Sequence, residues 1–182
     1  MLSLWEILAG AAVILVAARM VAAYRSQHLF PKSLEEMIAM GAAKAVQRAH
    51  ARYETELDYS LDSIHSVETV LGKLHETYLA APQLVDVNSM AFVFGAYVGE
   101  AIRRNYTGAR WERSHDVAGK DAYLLHWGEC TCFPMEWCMK RIAEGAEDNV
   151  WAKYEVLANM EKGDAHEVGK SRAASAGGSS NS

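Results

Sequence analysis

The chain has 182 residues, of which 51% are hydrophobic and 23% are charged. This composition is typical of a folded protein with one main core. It excludes a disordered chain, a collagen-like repeat and a polytopic membrane protein. Its 18 basic and 23 acidic residues give a net charge of −5, so there is no global basic field that could hold a nucleic-acid backbone. Three cysteines, close together in sequence, are too few for a disulfide-stabilised scaffold.

The segment Trp5–Tyr24 is predicted to be a single membrane-spanning helix. Twenty residues at the helical rise give roughly 30 Å, the thickness of a hydrocarbon core, and an aromatic residue stands at each end. Glu6 lies at the edge of the span, and Arg19 is shallow enough for its side chain to reach the interface. We therefore expect residues 1–32 to form a transmembrane anchor and a juxtamembrane linker.

Three other interpretations of this segment stay open. A secretory signal peptide usually begins with a positive region, which is missing here, although residues 21–23 are small enough for a cleavage site. An amphipathic helix in the membrane plane would need a polar face, whereas residues 7–18 are apolar all round. A buried core helix fits the length, but the polar residues after Tyr24 favour an anchor.

The charges beside the segment predict its orientation. Arg19, Arg25 and Lys32 lie towards its C-terminal side, whereas only the terminal amine and Glu6 lie towards the N-terminus. By the positive-inside rule, we expect the N-terminus outside and the rest of the chain in the cytoplasm. Reduced thiols in that compartment agree with the small number of cysteines. The first expected partner is therefore the membrane.

Residues 33–162 are predicted to form a compact α+β domain, in which helices pack on a small antiparallel sheet. Ser33 and Glu36 have the spacing of a capping box at the start of an amphipathic helix. Glu56–Tyr59 is a candidate strand that could join the sheet. A second helix follows, capped by Ser60 or Asp62, with a narrow apolar stripe, and Pro82 ends it (the stripe is Ile64, Val67, Leu71, Leu74 and Tyr78).

A central buried helix is predicted for Met90–Ile102, which is almost wholly apolar. Gly95 and Gly99 would let another backbone approach this helix. After Asn105 the apolar period changes towards two, which predicts a β-meander. Its strands are Ala109–Arg113, Ala122–Trp127 and Cys130–Phe133, the last two joined by a tight turn at Gly128-Glu129.

Two helices are predicted to close the domain. Pro134 opens the first, which Gly145 ends, and Asp148 caps the second, which runs through Met160. From Gly163 onward the sequence is small, polar and aperiodic, so residues 163–182 are predicted to be a disordered tail.

Three parts of the domain together resemble a family of small bacterial proteins of unknown function. They are Leu57–Ser60 with Ser66–His75, then Phe94–Trp111, then Phe133–Tyr154. The resemblance covers most of the chain after the anchor. It implies a compact bacterial domain, and hence the bacterial inner membrane as the location of the span, but no activity.

A zinc site is the first chemistry that the sequence offers, because His126, Cys130, Cys132 and Cys138 lie within 13 residues. The spacing C-x-C-x5-C differs from the paired C-x2-C of zinc sites. The predicted hairpin register places Trp127 opposite Cys130, so that both strand thiols share one face and His126 lies on the other. We therefore expect no metal and no cofactor, with the three cysteines as the runner-up metal ligands.

Glu100, Arg103 and Arg104 form a second group at the end of the central helix. Glu100 and Arg104 are spaced i, i+4 with the acid first, the favourable order for a helical pair. The group is either an internal ion pair or a polar pocket whose arginines receive an anion. Together with Trp111, a candidate aromatic anchor, and His126, these are the candidate binding residues.

A third group, His65, Glu68 and His75, is interpreted as a solvated helix face. His65 and Glu68 are spaced i, i+3, but a carboxylate-bridged di-metal site needs a second such pair, which the sequence lacks.

The expected function is that of a non-enzymatic, membrane-tethered cytoplasmic module, which binds a protein partner or assembles at the inner membrane. The reason is an anchor joined to a compact domain without a recognisable catalytic motif. The alternative is a small enzyme or ligand-binding protein with a polar cleft around Glu100, Arg103, Arg104 and His126. No nucleic-acid partner is expected.

Overall fold

The computed structural model describes residues 33–114 and 122–160, so the predicted anchor and the predicted tail lie outside the described residues. In these ranges the fold is α+β, with five α-helices and a three-stranded antiparallel sheet. No helix within them is both long and apolar enough for a bilayer crossing. Met1–Met37 and Ile38–Ser182 are separate units, and the core, the sheet and all the sites below belong to the second.

The helices are α1 (Leu34–Tyr53), α2 (Ser63–Ala80), α3 (Val87–Asn105), α4 (Pro134–Glu144) and α5 (150–160). The strands are β1 (Arg110–Ser114), β2 (Ala122–Trp127) and β3 (Cys130–Cys132), and short 3-10 turns occupy Pro82–Leu84 and Ala146–Asp148.

Four of the five described helices begin with a side-chain cap, and α4 begins with Pro134 instead. The backbone N–H of Glu36 donates to Ser33 Oγ at 3.2 Å, as the capping box predicts, and Asp86 accepts from Ser89 N–H at 3.1 Å to begin α3. Ser60 caps α2 rather than Asp62, whose side chain makes no capping bond. At α5 the predicted cap was wrong by one residue, because Asn149 Oδ1 accepts from Ala152 N–H at 2.8 Å.

Helix α3 is the centre of the core, and its residues from Val93 to Ile102 are all buried. Its two glycines admit different neighbours. A Cβ on Gly95 would lie 2.5 Å from the Met135 backbone, so α4 begins directly against α3 there. A Cβ on Gly99 would lie 2.1 Å from the Trp111 indole, so β1 packs on α3 one turn later. The expected close approach of a backbone therefore occurs at Gly95, whereas Gly99 makes room for a ring.

The predicted meander is confirmed. Strand β2 lies between β1 and β3 and is antiparallel to both. Trp127 pairs with Cys130 and Leu125 pairs with Cys132, which is the register that the Gly128-Glu129 turn predicts. Since paired residues share a face, Trp111, Leu125, Trp127 and Cys132 lie on one face of the sheet and are buried in the core. His126 and Thr131 lie on the other face, which also carries the buried Leu124.

The strand predicted at Glu56–Tyr59 is wrong, because this segment is an irregular loop. Tyr59 has a φ of +63°, in the left-handed region that interrupts an extended strand. Side chains satisfy its backbone instead of a neighbouring strand: its N–H donates to the Tyr97 hydroxyl at 2.8 Å, and Asn105 Nδ2 donates to its carbonyl at 2.9 Å. The loop is thereby fixed to α3.

Candidate functional site

The group around Glu100 is a closed ion-pair network. Glu100 is 3% exposed, and its carboxylate accepts two bonds from Arg103, Nε to Oε1 at 2.6 Å and Nη2 to Oε2 at 2.9 Å. Arg104 Nε lies 3.5 Å from Oε2, and the Trp111 indole N–H donates to Oε1 at 3.0 Å. The structure therefore brings four of the five candidate binding residues together, with Arg103 rather than Arg104 as the closer partner.

The electrostatics of Glu100 favour a permanently charged carboxylate. Burial raises the pKa of Glu100, but hydrogen bonds from Arg103 and Trp111 and the positive charges of both arginines outweigh burial, so the pKa is lowered. A general acid at neutral pH needs a raised carboxyl pKa instead. This arrangement is suited to joining α3 to β1, and Trp111, at 7% exposed, is part of the core.

His126 lies away from this network. It pairs across the sheet with Arg110 and Thr131, on the face opposite Trp111 and Leu125. Its Nδ1 is hydrogen-bonded to Thr131 Oγ1 at 2.8 Å, and its Nε2 lies 3.2 Å from Glu112 Oε2 without hydrogen-bond alignment. The polar residues of the expected cleft are thus divided between the two faces of the sheet.

The three cysteines are thiols and form no disulfide with one another. Cys132 and Cys138 are buried, and burial is the main cause that raises the pKa of both thiols far above its ordinary value. Cys130 is half-buried, with its Sγ 3.8 Å from the Leu157 carbonyl oxygen. Over the described ranges, 33–114 and 122–160, there is no group of three or more metal-ligating side chains.

A buried ion pair that sequence reasoning missed joins α2, α4 and α5. Glu68, interpreted from sequence as part of a solvated face, is 8% exposed and accepts from Arg141 Nε and, at 2.8 Å, from the Val150 backbone N–H. Arg141 is also 8% exposed. The partners are 73 and 82 residues away in sequence, so only the position of Glu68 beside the apolar stripe of α2 could have indicated that it is buried.

A groove of about 500 Å³ opens between the β3–α4 junction and α5. Its apolar lining includes Phe133, Trp137, Val156 and Leu157, and Val156 is 59% exposed although it is a valine. Met160, one turn after Val156 on α5, is 57% exposed. Large apolar side chains left in solvent beside a groove are typical of an interaction surface. The number of tryptophans is the one feature of the sequence that points to this surface.

The charges at the groove are mainly negative. Lys153 lines it but is paired with Asp148, while Glu147 lines it and is exposed. Residues 129–160, the stretch that contains the lining, hold six acidic and three basic side chains, and one of the basic ones is the buried Arg141. The groove therefore has a largely apolar lining beside the exposed negative charge of Glu147.

No family model matches the chain, and neither the curated proteins nor the solved structures include a significant match to it. The function therefore has to be inferred from the geometry of the described residues.

Proposed function

We propose that this chain is a membrane-tethered module that binds a partner protein through the groove between the β3–α4 junction and α5. The observation that carries the proposal is the apolar lining at Trp137, Val156 and Leu157, open to solvent. Apolar grooves of several hundred Å³ with a partly exposed tryptophan are typical of sites that receive an apolar side-chain row of a partner. The tether is proposed from Trp5–Tyr24.

The occupant that fits best is an amphipathic helix with basic residues beside its apolar face. Helix-in-groove recognition places apolar residues spaced i, i+3 or i+4 and i+7 against an apolar groove. The exposed negative charge of Glu147 favours lysine or arginine flanking that row and disfavours an acidic segment. Electrostatic complementarity of this kind sets the specificity and the association rate more than the affinity.

The state of the polar clusters supports a binding role over a catalytic one. Glu100 and Glu68 are both held by arginines, and the two buried thiols are kept protonated by burial. An acid or nucleophile has to reach substrate with a suitable pKa, whereas the pKa of Glu100 is lowered, the pKa values of the two buried thiols are raised, and Glu68 is buried. The groove, in contrast, is accessible.

Site-specific photo-crosslinking tests the proposal. A benzoylphenylalanine replaces Val156 in the full chain, expressed in the cells that naturally produce it, and the crosslinked peptide is identified by mass spectrometry. We expect one adduct with a different protein, mapping to an apolar segment flanked by lysine or arginine. A second variant, Trp137→Ala, should lower the adduct yield by about tenfold or more if the tryptophan anchors the partner.

The matched control is Leu79, which is 66% exposed on α2 and does not line the groove. The same probe at Leu79 should give no such adduct. Unchanged melting temperatures show that each variant is folded. An adduct only with a second copy of the chain, only with lipid, or equally at both positions would overturn the proposal.

A further inference from the structure

A second, smaller pocket of about 80 Å³ lies between α1, the end of α2 and the start of α3. Two arginines of α1, Arg48 and Arg52, line it together with Tyr53. It shares no residue with the groove, so what it binds is independent of the proposed function.

The two guanidinium groups at this pocket have few protein partners. Arg48 is half-buried, and its Nη1 donates to the Met90 sulfur at 2.9 Å, a weak acceptor. No ion pair to Arg48 or Arg52 is present among residues 33–114 and 122–160. A guanidinium carries five N–H donors in a fixed fork, the geometry that matches a carboxylate or phosphate.

Tyr53 adds a neutral donor to the same wall. Burial raises the pKa of the Tyr53 hydroxyl, against the opposing effect of the nearby Arg52 and Arg48 charges, so the hydroxyl stays protonated at neutral pH. A protonated phenol can donate a hydrogen bond to an anion.

The remaining walls limit the anion to one with a single charge and an apolar part. Leu74, Leu84 and Val85 supply an apolar surface. A phosphate or sulfate ion against this surface would lose its hydration without gaining a hydrogen bond there. Asp86 also lines the pocket, with its Oδ1 committed to capping α3, and its charge opposes a doubly charged ligand.

We propose that this pocket binds an aliphatic carboxylate, held by the Arg48 and Arg52 guanidinium groups with its hydrocarbon part against Leu74, Leu84 and Val85. Such a group is either a free short-chain acid or the C-terminus of a peptide that ends in an aliphatic residue. The recognition chemistry is the same in both cases.

Calorimetric titration of the full chain in detergent tests this assignment with four probes. They are isovalerate, its uncharged amide, inorganic sulfate, and a tetrapeptide that ends in valine with a free carboxylate. We expect isovalerate or the peptide to bind, and the amide and sulfate to bind about tenfold or more weakly, since each lacks either the charge or the hydrocarbon part. The tighter of the two carboxylates identifies the source.

Variants connect that binding to the arginines. Arg52→Gln should weaken carboxylate binding about tenfold, and Arg48→Lys should weaken it although the charge is kept, because the fork is lost. The control is Lys44→Gln, which removes an exposed charge one turn before Arg48 outside the pocket and should leave the affinity within about twofold. Absence of carboxylate binding, sulfate binding as tight as isovalerate, or an equal effect of Lys44→Gln would overturn the proposal.

Discussion

Glu68 and Glu100 are both buried carboxylates held by arginines, but their partners differ in exposure. The side chain of Arg141, the partner of Glu68, is 9% exposed, whereas those of Arg103 and Arg104 are 40% and 44% exposed. If the carboxylate is lost, Arg103 and Arg104 can turn to water, but Arg141 cannot. Its Nη1 is already buried without a hydrogen-bond partner. Glu68 is therefore the more important residue for stability.

We predict that Glu68→Gln lowers the free energy of unfolding by about 3–5 kcal/mol, because it leaves the Arg141 charge buried and uncompensated. Glu100→Gln should lower it by only about 1–3 kcal/mol, the range for a lost charged hydrogen bond whose partners stay hydrated. Urea unfolding of the two variants side by side measures the difference. Equal losses, or a larger loss for Glu100→Gln, would contradict the assignment of roles.

Among the helices and strands, the sequence predicts those features that depend on residues close together in the chain. The β2–β3 register follows from one turn at Gly128-Glu129, and the start of α3 follows from Asp86. The conformation of the Glu56–Tyr59 segment could not be predicted in the same way, because the Tyr59 N–H donates a hydrogen bond to the hydroxyl of Tyr97, 38 residues away. The groove was missed for a similar reason, since β3, α4 and α5 form it only when they pack together.

The three thiols of β3 and α4 are predicted to differ in their reactivity. In the native full chain, only Cys130 should react with iodoacetamide near neutral pH, since burial keeps Cys132 and Cys138 protonated and inaccessible. Mass spectrometry should count one alkylated cysteine in the native protein and three after denaturation. A chelator should leave the pattern unchanged. If zinc were bound to these thiols it would contribute to folding, so its removal would expose them. Reaction of Cys138 before Cys130, or thiols exposed by the chelator, would contradict this packing.

At the scale of the whole molecule, the charges are unevenly distributed along the chain. The 18 basic and 23 acidic residues leave an acidic protein, yet Arg19, Arg25 and Lys32 lie in or just after the apolar N-terminal segment. Basic residues beside a span resist translocation, and they also attract the anionic inner leaflet. We expect an acidic domain held by the proposed tether to be repelled by that leaflet, which would leave the proposed groove open to a protein partner rather than to lipid.

The charges around the N-terminal segment predict the membrane topology of the chain. Trp5–Tyr24 should span the membrane uncleaved, with everything after Arg25 in the cytoplasm. The reason is that Arg19, Arg25 and Lys32 resist translocation, whereas the N-terminal flank carries little charge. Fluorescent-protein and alkaline-phosphatase fusions after Met160 measure the side directly. We expect fluorescence without phosphatase activity, and an intact N-terminus by mass spectrometry. Strong phosphatase activity, or a mature chain that begins at Tyr24, would instead place the cysteines in an oxidising compartment, where alkylation of Cys130 would be lost to disulfide formation.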